Sequence, residues 1–189
     1  REHIAGSRIS QFIAQTHRNR MAATGNQPTR PALNPNQKVL DLNTKDGQKL
    51  YNQGVQGLDT KFDGTKKQAH SFMMRVKDAS TDRAWLKCTT VTINGKDVEL
   101  IKNPGLIELK DLQSYSKAVW AGTTVKDFNL QIMHNMFGKF LLNSINDSVR
   151  ERLDTEESKW TFTVDSDRGI DGPIIYRLLM SYATVATLY

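Results

Sequence analysis

The chain has 189 residues, of which 38% are hydrophobic and 24% charged, and its formal net charge is +6. This length supports one full hydrophobic core or two small ones and excludes disorder throughout the chain. No run of about 18 apolar residues occurs, so we expect no membrane span. One cysteine and four histidines exclude a disulfide framework and a zinc finger or knuckle, and they favour an intracellular location.

Almost all of the excess positive charge lies in the first 40 residues, which contain six Lys and Arg and one Glu. The remaining residues, 41–189, are nearly neutral, with twenty cationic and nineteen acidic side chains. Three of the five prolines also lie in this N-terminal fifth, within a run of Gly, Asn, Gln and Pro that is typical of an extended tether. We therefore divide the chain into a basic N-terminal arm, residues 1–38, and a domain, residues 39–189.

The arm combines cationic and apolar side chains. A short amphipathic helix is predicted over Glu2–Arg18, with one apolar face made by Ile4, Ile9, Phe12 and Ile13. Guanidinium and ammonium groups pair with phosphates whatever the base sequence, so the candidate nucleic-acid-binding residues are Arg1, Arg8, Arg18, Arg20, Arg30 and Lys38. The apolar face favours docking on a neighbouring subunit. A solvated tail is the structural alternative.

The domain opens with two predicted helices. The first is capped by Thr44, covers Lys45–Gln53 and is ended by Gly54 and Gly57. The second begins after Thr65, its predicted N-cap, and carries apolar residues at helical spacing to about residue 80. Each is expected to bury one face.

A β-hairpin is the strongest local signal in the chain. Two runs that alternate β-branched and polar residues, Thr89–Ile93 and Lys96–Ile101, flank Asn94-Gly95. An Asn-Gly pair supplies the positive φ angles that a tight primed turn requires. The two runs are therefore predicted to pair antiparallel.

The rest of the domain is predicted to be mainly helical. Helices are expected over Leu109–Trp120, Val125–Ile145 and Asp147–Leu153, followed by a possible strand over Trp160–Val164 and a last helix capped by Asp171. The second of these is apolar nearly all round, which is typical of a central helix. The predicted fold class is mainly α with one β-hairpin.

Catalytic chemistry is weakly represented. A nucleophilic Cys88 assisted by His70 or His134 is the one enzymatic hypothesis, and a buried structural cysteine is the favoured interpretation of that thiol. The sequence lacks a P-loop, a dinucleotide fingerprint, a nucleophile elbow and a zincin motif. We therefore expect no enzyme, no cofactor, no metal site and no small-molecule substrate.

A set of turns and core positions follows a recognisable order along residues 39–189. It comprises Val39–Tyr51, Leu58–Gly64, a helix centred on Phe72 that ends near Trp85, the turn at Val91–Gly95, Asn103–Gly105, Leu141–Ile145 and Asp171–Ile175. This order resembles the Gag-like capsid proteins of LTR retrotransposons, of the type found in algal and other protist genomes.

The resemblance implies a helical capsid N-terminal-type domain in a structural protein that assembles with itself into a shell around RNA, bound without sequence specificity. Such a protein is expected in the cytoplasm, within virus-like particles or virions. The start at Arg1 and the end in an apolar pattern suggest a processed product or a piece of a longer polyprotein. Besides the apolar residues of the arm, the expected contacts between copies are Leu112, Tyr115 and Trp120. The alternative is a monomeric or dimeric RNA-binding nucleoprotein or adaptor derived from a Gag-like domain.

Overall fold

The structure, a computed structural model, describes residues 41–164 and 167–185. The basic arm, with its predicted amphipathic helix, lies outside these residues. Within them the chain is mainly helical, as the sequence predicts, and none of the helices there is long and apolar enough to cross a membrane.

The described residues form seven α-helices and four short strands. The helices are α1 (Lys45–Val55), α2 (Lys66–Asp82), α3 (Leu109–Ala121), α4 (Val125–Leu142), α5 (Asp147–Asp154), α6 (Glu157–Trp160) and α7 (Gly172–Val185). The strands are β1 (Thr90–Ile93), β2 (Lys96–Glu99), β3 (Thr161–Val164) and β4 (Asp167–Ile170). Short 3-10 turns occur at Leu86–Thr89 and Pro104–Leu106.

The helix starts follow local capping chemistry. The Thr44 side chain accepts a hydrogen bond from the backbone N–H three residues on, which confirms it as the cap of α1. Thr124 and Asp127 form a reciprocal capping box at α4, and hydrogen bonds from Thr124 lower the pKa of the Asp127 carboxyl. Thr65 stands at the N-cap of α2, but its side chain does not cap the helix because its hydroxyl donates to the Asp63 carboxylate, 2.7 Å away.

Helix α1 does not end at Gly54 as predicted, but runs through it to Val55. The backbone carbonyl of Gly54 accepts a hydrogen bond from the indole N–H of Trp85 at 2.8 Å. A Cβ atom at this position would lie 2.2 Å from the Met136 methyl group. The glycine therefore serves the close packing of α1 on α4, at a cost of about 1 kcal/mol in helix propensity, and does not terminate the helix.

Helix α4 is central, as its apolar sequence predicts. It packs against α1, α3, α7 and β4, and Met136, Phe137 and Phe140 are fully buried. The Trp85 ring stacks on Phe137 with centroids 4.5 Å apart and lies 5.0 Å from the Phe140 ring. Aromatic pairs at such distances contribute about 0.5–1.5 kcal/mol beyond the burial of their surface.

The connection between α1 and α2 is bound to the end of α4, which stops at Leu142 and not at the predicted residue 145. The Phe62 N–H donates to the Ser144 carbonyl at 2.8 Å, and the Asn146 N–H donates to the Phe62 carbonyl at 3.1 Å. Gly57 lies so close that a Cβ there would be 2.0 Å from the Asn143 carbonyl oxygen. After a turn at residues 143 and 144, Ile145 forms an isolated β-bridge with Phe62, so the chain pairs with this connection instead of continuing the helix.

The first hairpin is confirmed. Strands β1 and β2 pair antiparallel with Ile93 opposite Lys96, and the turn residues Asn94 and Gly95 have φ angles of 51° and 75°. Strand β2 ends at Glu99, although the Leu100 N–H still donates to the Thr89 carbonyl at 2.8 Å, and Leu100 and Ile101 are buried in the core.

A second hairpin corrects the prediction of a single one. Strands β3 and β4 pair antiparallel, and Gly169 of β4 lies against the Trp120 ring, where a Cβ would be 2.4 Å from the nearest ring carbon. Phe162 of β3 stacks on the same ring at 5.8 Å. Asp-Arg-Gly-Ile shows no alternating pattern, so the contact with Trp120, and not local propensity, accounts for β4.

Replacing Gly57 by alanine should destabilise the protein by about 1–3 kcal/mol, because the added Cβ collides with backbone that cannot rotate away. Gly105→Ala is the matched control, since no atom lies within 4 Å of a Cβ built there. Urea denaturation followed by tryptophan fluorescence measures both free energies of unfolding. Equal stability of the two variants would contradict the packing of the α1–α2 connection described above.

Candidate functional site

A buried carboxylate, Asp171, joins three helices. Its Oδ1 accepts a hydrogen bond from the Ile174 N–H at 2.9 Å, which confirms its predicted role as the cap of α7. Its Oδ2 accepts from the Trp120 indole N–H of α3 at 2.8 Å and lies 2.7 Å from His134 Nδ1 of α4. The side chains of Asp171 and His134 are fully buried.

The protonation states follow from this geometry. Burial alone would raise the pKa of Asp171, but the nearby His134 and the three hydrogen bonds outweigh it and lower the pKa below its usual value. The carboxyl group is therefore ionised at neutral pH, and because an ionised carboxylate only accepts hydrogen bonds, His134 Nδ1 is the donor to Oδ2. The other ring nitrogen, Nε2, is buried and makes no hydrogen bond to any described residue.

Two further ionisable side chains, those of Cys88 and Tyr115, lie close to the His134–Asp171 pair. Cys88 is fully buried, as the sequence favours, and its thiol donates a weak hydrogen bond to the Met133 carbonyl at 3.7 Å. Burial, and then the negative charge of Asp171, raise the pKa of the Cys88 thiol well above its usual value. The Tyr115 ring lies 6.1 Å from the His134 ring, and burial raises the pKa of its hydroxyl to about 12.

The His134–Asp171 pair has the geometry of the orienting half of a nucleophilic triad, with Nδ1 on the carboxylate and Nε2 unoccupied. The neighbouring thiol is in its neutral form, which is the less nucleophilic one, and His70 is exposed on α2, outside this buried cluster. Because His134, Asp171 and Cys88 are all fully buried, a substrate cannot touch them in this conformation. The arrangement is therefore suited to fixing helices. In the described residues, no group of three His, Cys, Asp or Glu side chains is placed to hold a metal ion.

The three predicted contact residues on α3 differ in burial. Leu112 is fully buried, Trp120 is buried against Phe162 and Gly169, and Tyr115 is half-buried against the core. The apolar surfaces of Leu112 and Trp120 are packed within the chain, whereas the contact of Tyr115 with another copy stays a prediction. The remaining predicted residues lie outside the described part of the chain: Arg1, Ile4, Arg8, Ile9, Phe12, Ile13, Arg18, Arg20, Arg30 and Lys38.

Three large apolar side chains in the described residues are exposed, and the sequence did not single them out. They are Met74, Leu86 and Leu106, of which Leu106 is 74% exposed. Leu86 and Leu106 lie in short 3-10 turns, which are too brief to show the periodicity that marks an apolar face.

The buried polar cluster was also missed, although α4 contains a signal for it. Gln131, His134 and Asn135 interrupt an otherwise apolar central helix and are all buried. The Gln131 amide donates to the carbonyls of Val119 at 2.8 Å and Gly122 at 3.1 Å, which satisfies the end of α3. Polar residues inside an apolar helix predict buried partners, since burial without a hydrogen bond costs about 1–3 kcal/mol.

The Asp171 carboxylate should make the stability of the protein fall in acid. Because its folded pKa lies below the ordinary value of 3.8, its contribution is fully present above that pH and is lost as the pH falls through the folded pKa. Asp171→Asn should lower the free energy of unfolding by about 3–5 kcal/mol at pH 7 and show a shallower decline below pH 4. Urea denaturation between pH 2 and 7 tests this, with Asp59→Asn as the control at an exposed carboxylate, and parallel pH curves for wild type and Asp171→Asn would count against it.

The Cys88 thiol should be unreactive in the folded protein, because it is buried and protonated. Titration with a thiol-specific disulfide reagent at pH 8 should show slow reaction in buffer and fast, stoichiometric reaction in denaturant. Fast reaction of the native protein would revive the hypothesis of a nucleophilic Cys88. Cys88→Ser serves as the blank for the single cysteine.

Comparison with known proteins gives no match to a protein-family model, to a curated protein or to a solved structure. The likeness to Gag-like capsid proteins therefore stays a likeness in the order of residues along the chain.

Proposed function

We propose that this chain is a structural, Gag-like capsid subunit that assembles with copies of itself into a shell enclosing RNA. Residues 39–189 would form a capsid N-terminal-type domain, and the basic arm would contact RNA or neighbouring subunits. The protein would then act in the cytoplasm, within virus-like particles or virions. The order of turns and core positions along residues 39–189 suggests this class of protein.

One observation carries the proposal: the only His–carboxylate pair of the described residues is fully buried and joins helices α3, α4 and α7. Groups that could perform acid–base chemistry are used here to fix the angles between helices. A fixed domain shape favours repetition of the same contact between many copies, which is what a shell requires.

The contacts between copies are assigned first to the apolar face of the arm, with the half-buried Tyr115 of α3 as a further contact. Ile4, Ile9, Phe12 and Ile13 are apolar residues in a segment that also carries most of the net charge. A tail that only bound RNA would have no use for them, whereas a segment that docks on a neighbouring subunit would bury them.

The distribution of charge favours a second candidate, a monomeric or dimeric RNA-binding nucleoprotein or adaptor. The arm holds six cationic residues and one acidic residue, while residues 41–189 are almost neutral. An arm of this kind binds polyanions by releasing counterions, with no need for a shell.

Electron microscopy of the purified full chain in negative stain separates the two candidates. Closed shells or regular tubes are expected at low or moderate salt, with or without added RNA. Changing Arg8, Arg18 and Arg20 to glutamine should reduce the RNA content of the particles, because it removes half of the cations of the arm. Changing Ile9 and Phe12 to serine should prevent assembly, because it removes the apolar docking face.

A small, monodisperse species under all of these conditions would contradict the shell and favour the adaptor. RNA binding that persists in such a species and weakens steeply with salt would identify the arm as the main site of the adaptor.

A further inference from the structure

Helix α1 has one buried face and one fully exposed face. Gly47, Tyr51 and Gly54 are buried, and α1 packs against α4. The opposite side, together with the C-cap residue Gln56, presents a stripe of six exposed side chains that line a shallow, open depression: Lys45, Gln48, Lys49, Asn52, Gln53 and Gln56. We call these six residues the α1 stripe.

The α1 stripe contains cations and amides and no carboxylate. Neither of its lysines forms an ion pair with another described residue, and the one acidic residue of the helix, Asp46, lies beside the stripe in the first turn. Elsewhere in the described residues several exposed cations are paired with carboxylates, as in Arg150–Asp154, Lys102–Glu99, Lys159–Glu156 and Arg168–Glu157. The lysines of the stripe therefore keep their charge available for a partner.

We propose that the α1 stripe binds the phosphate backbone of single-stranded RNA. Lysine ammonium groups pair with phosphates, and asparagine and glutamine amides donate hydrogen bonds to phosphate and sugar oxygens. Lys45 and Lys49 are one helical turn apart on the same face, and the stripe runs for about 17 Å along the helix, which is long enough for more than one phosphate. This inference rests on the RNA-binding part of the proposed function and assigns it a surface on the folded domain.

The stripe also continues the basic arm along the chain. The arm carries a net charge of +5 up to residue 40, and Lys45 is the first residue of α1. An RNA strand bound by the arm is therefore held by the same chain within a few residues of the stripe. Such tethering raises the local concentration of phosphate at the stripe, so that two lysines can contribute measurably.

The test is RNA binding by the full-length chain carrying Lys45→Gln and Lys49→Gln, with a fluorescent 20-nucleotide oligouridylate as the probe. Glutamine removes the charge and keeps a polar side chain with good helix propensity. Loss of two phosphate contacts should make the slope of log K against log salt shallower by about 1.4, and it should weaken binding about 25-fold at 0.1 M salt. Fluorescence anisotropy at several salt concentrations gives both quantities.

The matched control changes Lys110 and Lys117, two exposed lysines of α3, to glutamine. It removes the same charge from a different surface and should leave the slope as in the wild type. An equal loss in both double variants, or no loss in the α1 variant, would overturn the proposal. Intact RNA binding together with lost assembly of the α1 variant would overturn it too, because the stripe would then be an interface between copies.

The wild-type chain separates failure of this inference from failure of the proposed function. A wild type that assembles but does not bind the probe overturns the inference and the RNA part of the function, and leaves the shell. A wild type that binds the probe through the stripe but never assembles upholds the inference and favours the adaptor.

Discussion

An ionised carboxylate below the surface of a small domain has to be matched by donors, and Asp171 meets this constraint with groups from three helices. Trp120, His134 and Ile174 each contribute one hydrogen bond, so α3, α4 and α7 cannot move apart without leaving a buried charge unpaired, at a cost of about 3–5 kcal/mol. The second hairpin, β3–β4, also depends on the hydrogen bond between Trp120 and Asp171. Trp120, which is oriented by this hydrogen bond, is the ring against which Phe162 and Gly169 pack. The backbone N–H of Asp171 also donates to the Trp160 carbonyl at 2.9 Å.

The parts of the fold that sequence reasoning predicted correctly are those whose cause is local. Asn94-Gly95 specifies its own turn because the positive φ angles are a property of the pair, and Thr44 caps α1 through an atom three residues away. The errors in the bounds of helices and in the number of strands occur where a residue distant in sequence decides. Taken alone, Gly54 predicts the end of a helix. Trp85, 31 residues further on, donates a hydrogen bond to the Gly54 carbonyl and packs against this glycine, which lies within α1. The second hairpin was missed for the same reason. Gly169 of β4 packs against the Trp120 ring of α3, and this distant contact, not strand propensity, accounts for the strand.

The candidate site shows the same division more sharply. Asp171 is recognisable from sequence as a helix cap, since Ile174 lies three residues away, whereas its bond to His134 joins residues 37 positions apart. A lone histidine in an apolar helix indicates a buried partner but does not identify it.

Apolar helix faces are ambiguous in a related way. Leu112 and Trp120 mark a face of α3 that must be covered, and nothing in the sequence distinguishes cover by the same chain from cover by another copy. The structure shows that the chain itself covers it.

Under the proposed function, the separation of charge from core has a physical rationale. A shell subunit needs contacts whose angles repeat, and buried polar networks favour one arrangement of helices over its competitors because every alternative leaves a donor or acceptor unsatisfied. Enclosing RNA of any sequence needs the opposite property, an affinity that follows charge and adapts to shape. Counterion release supplies this, since it depends on how many phosphates are neutralised and not on which bases carry them.

The chain meets these two requirements with different segments. The described domain is almost neutral and has its one His–carboxylate pair fully buried, whereas most of the excess positive charge lies in the arm that leads to Lys45 and Lys49 at the start of α1. Such a division lets the sequence of the arm vary in detail without disturbing the angles that Asp171 fixes, provided that its apolar face and its charge are kept.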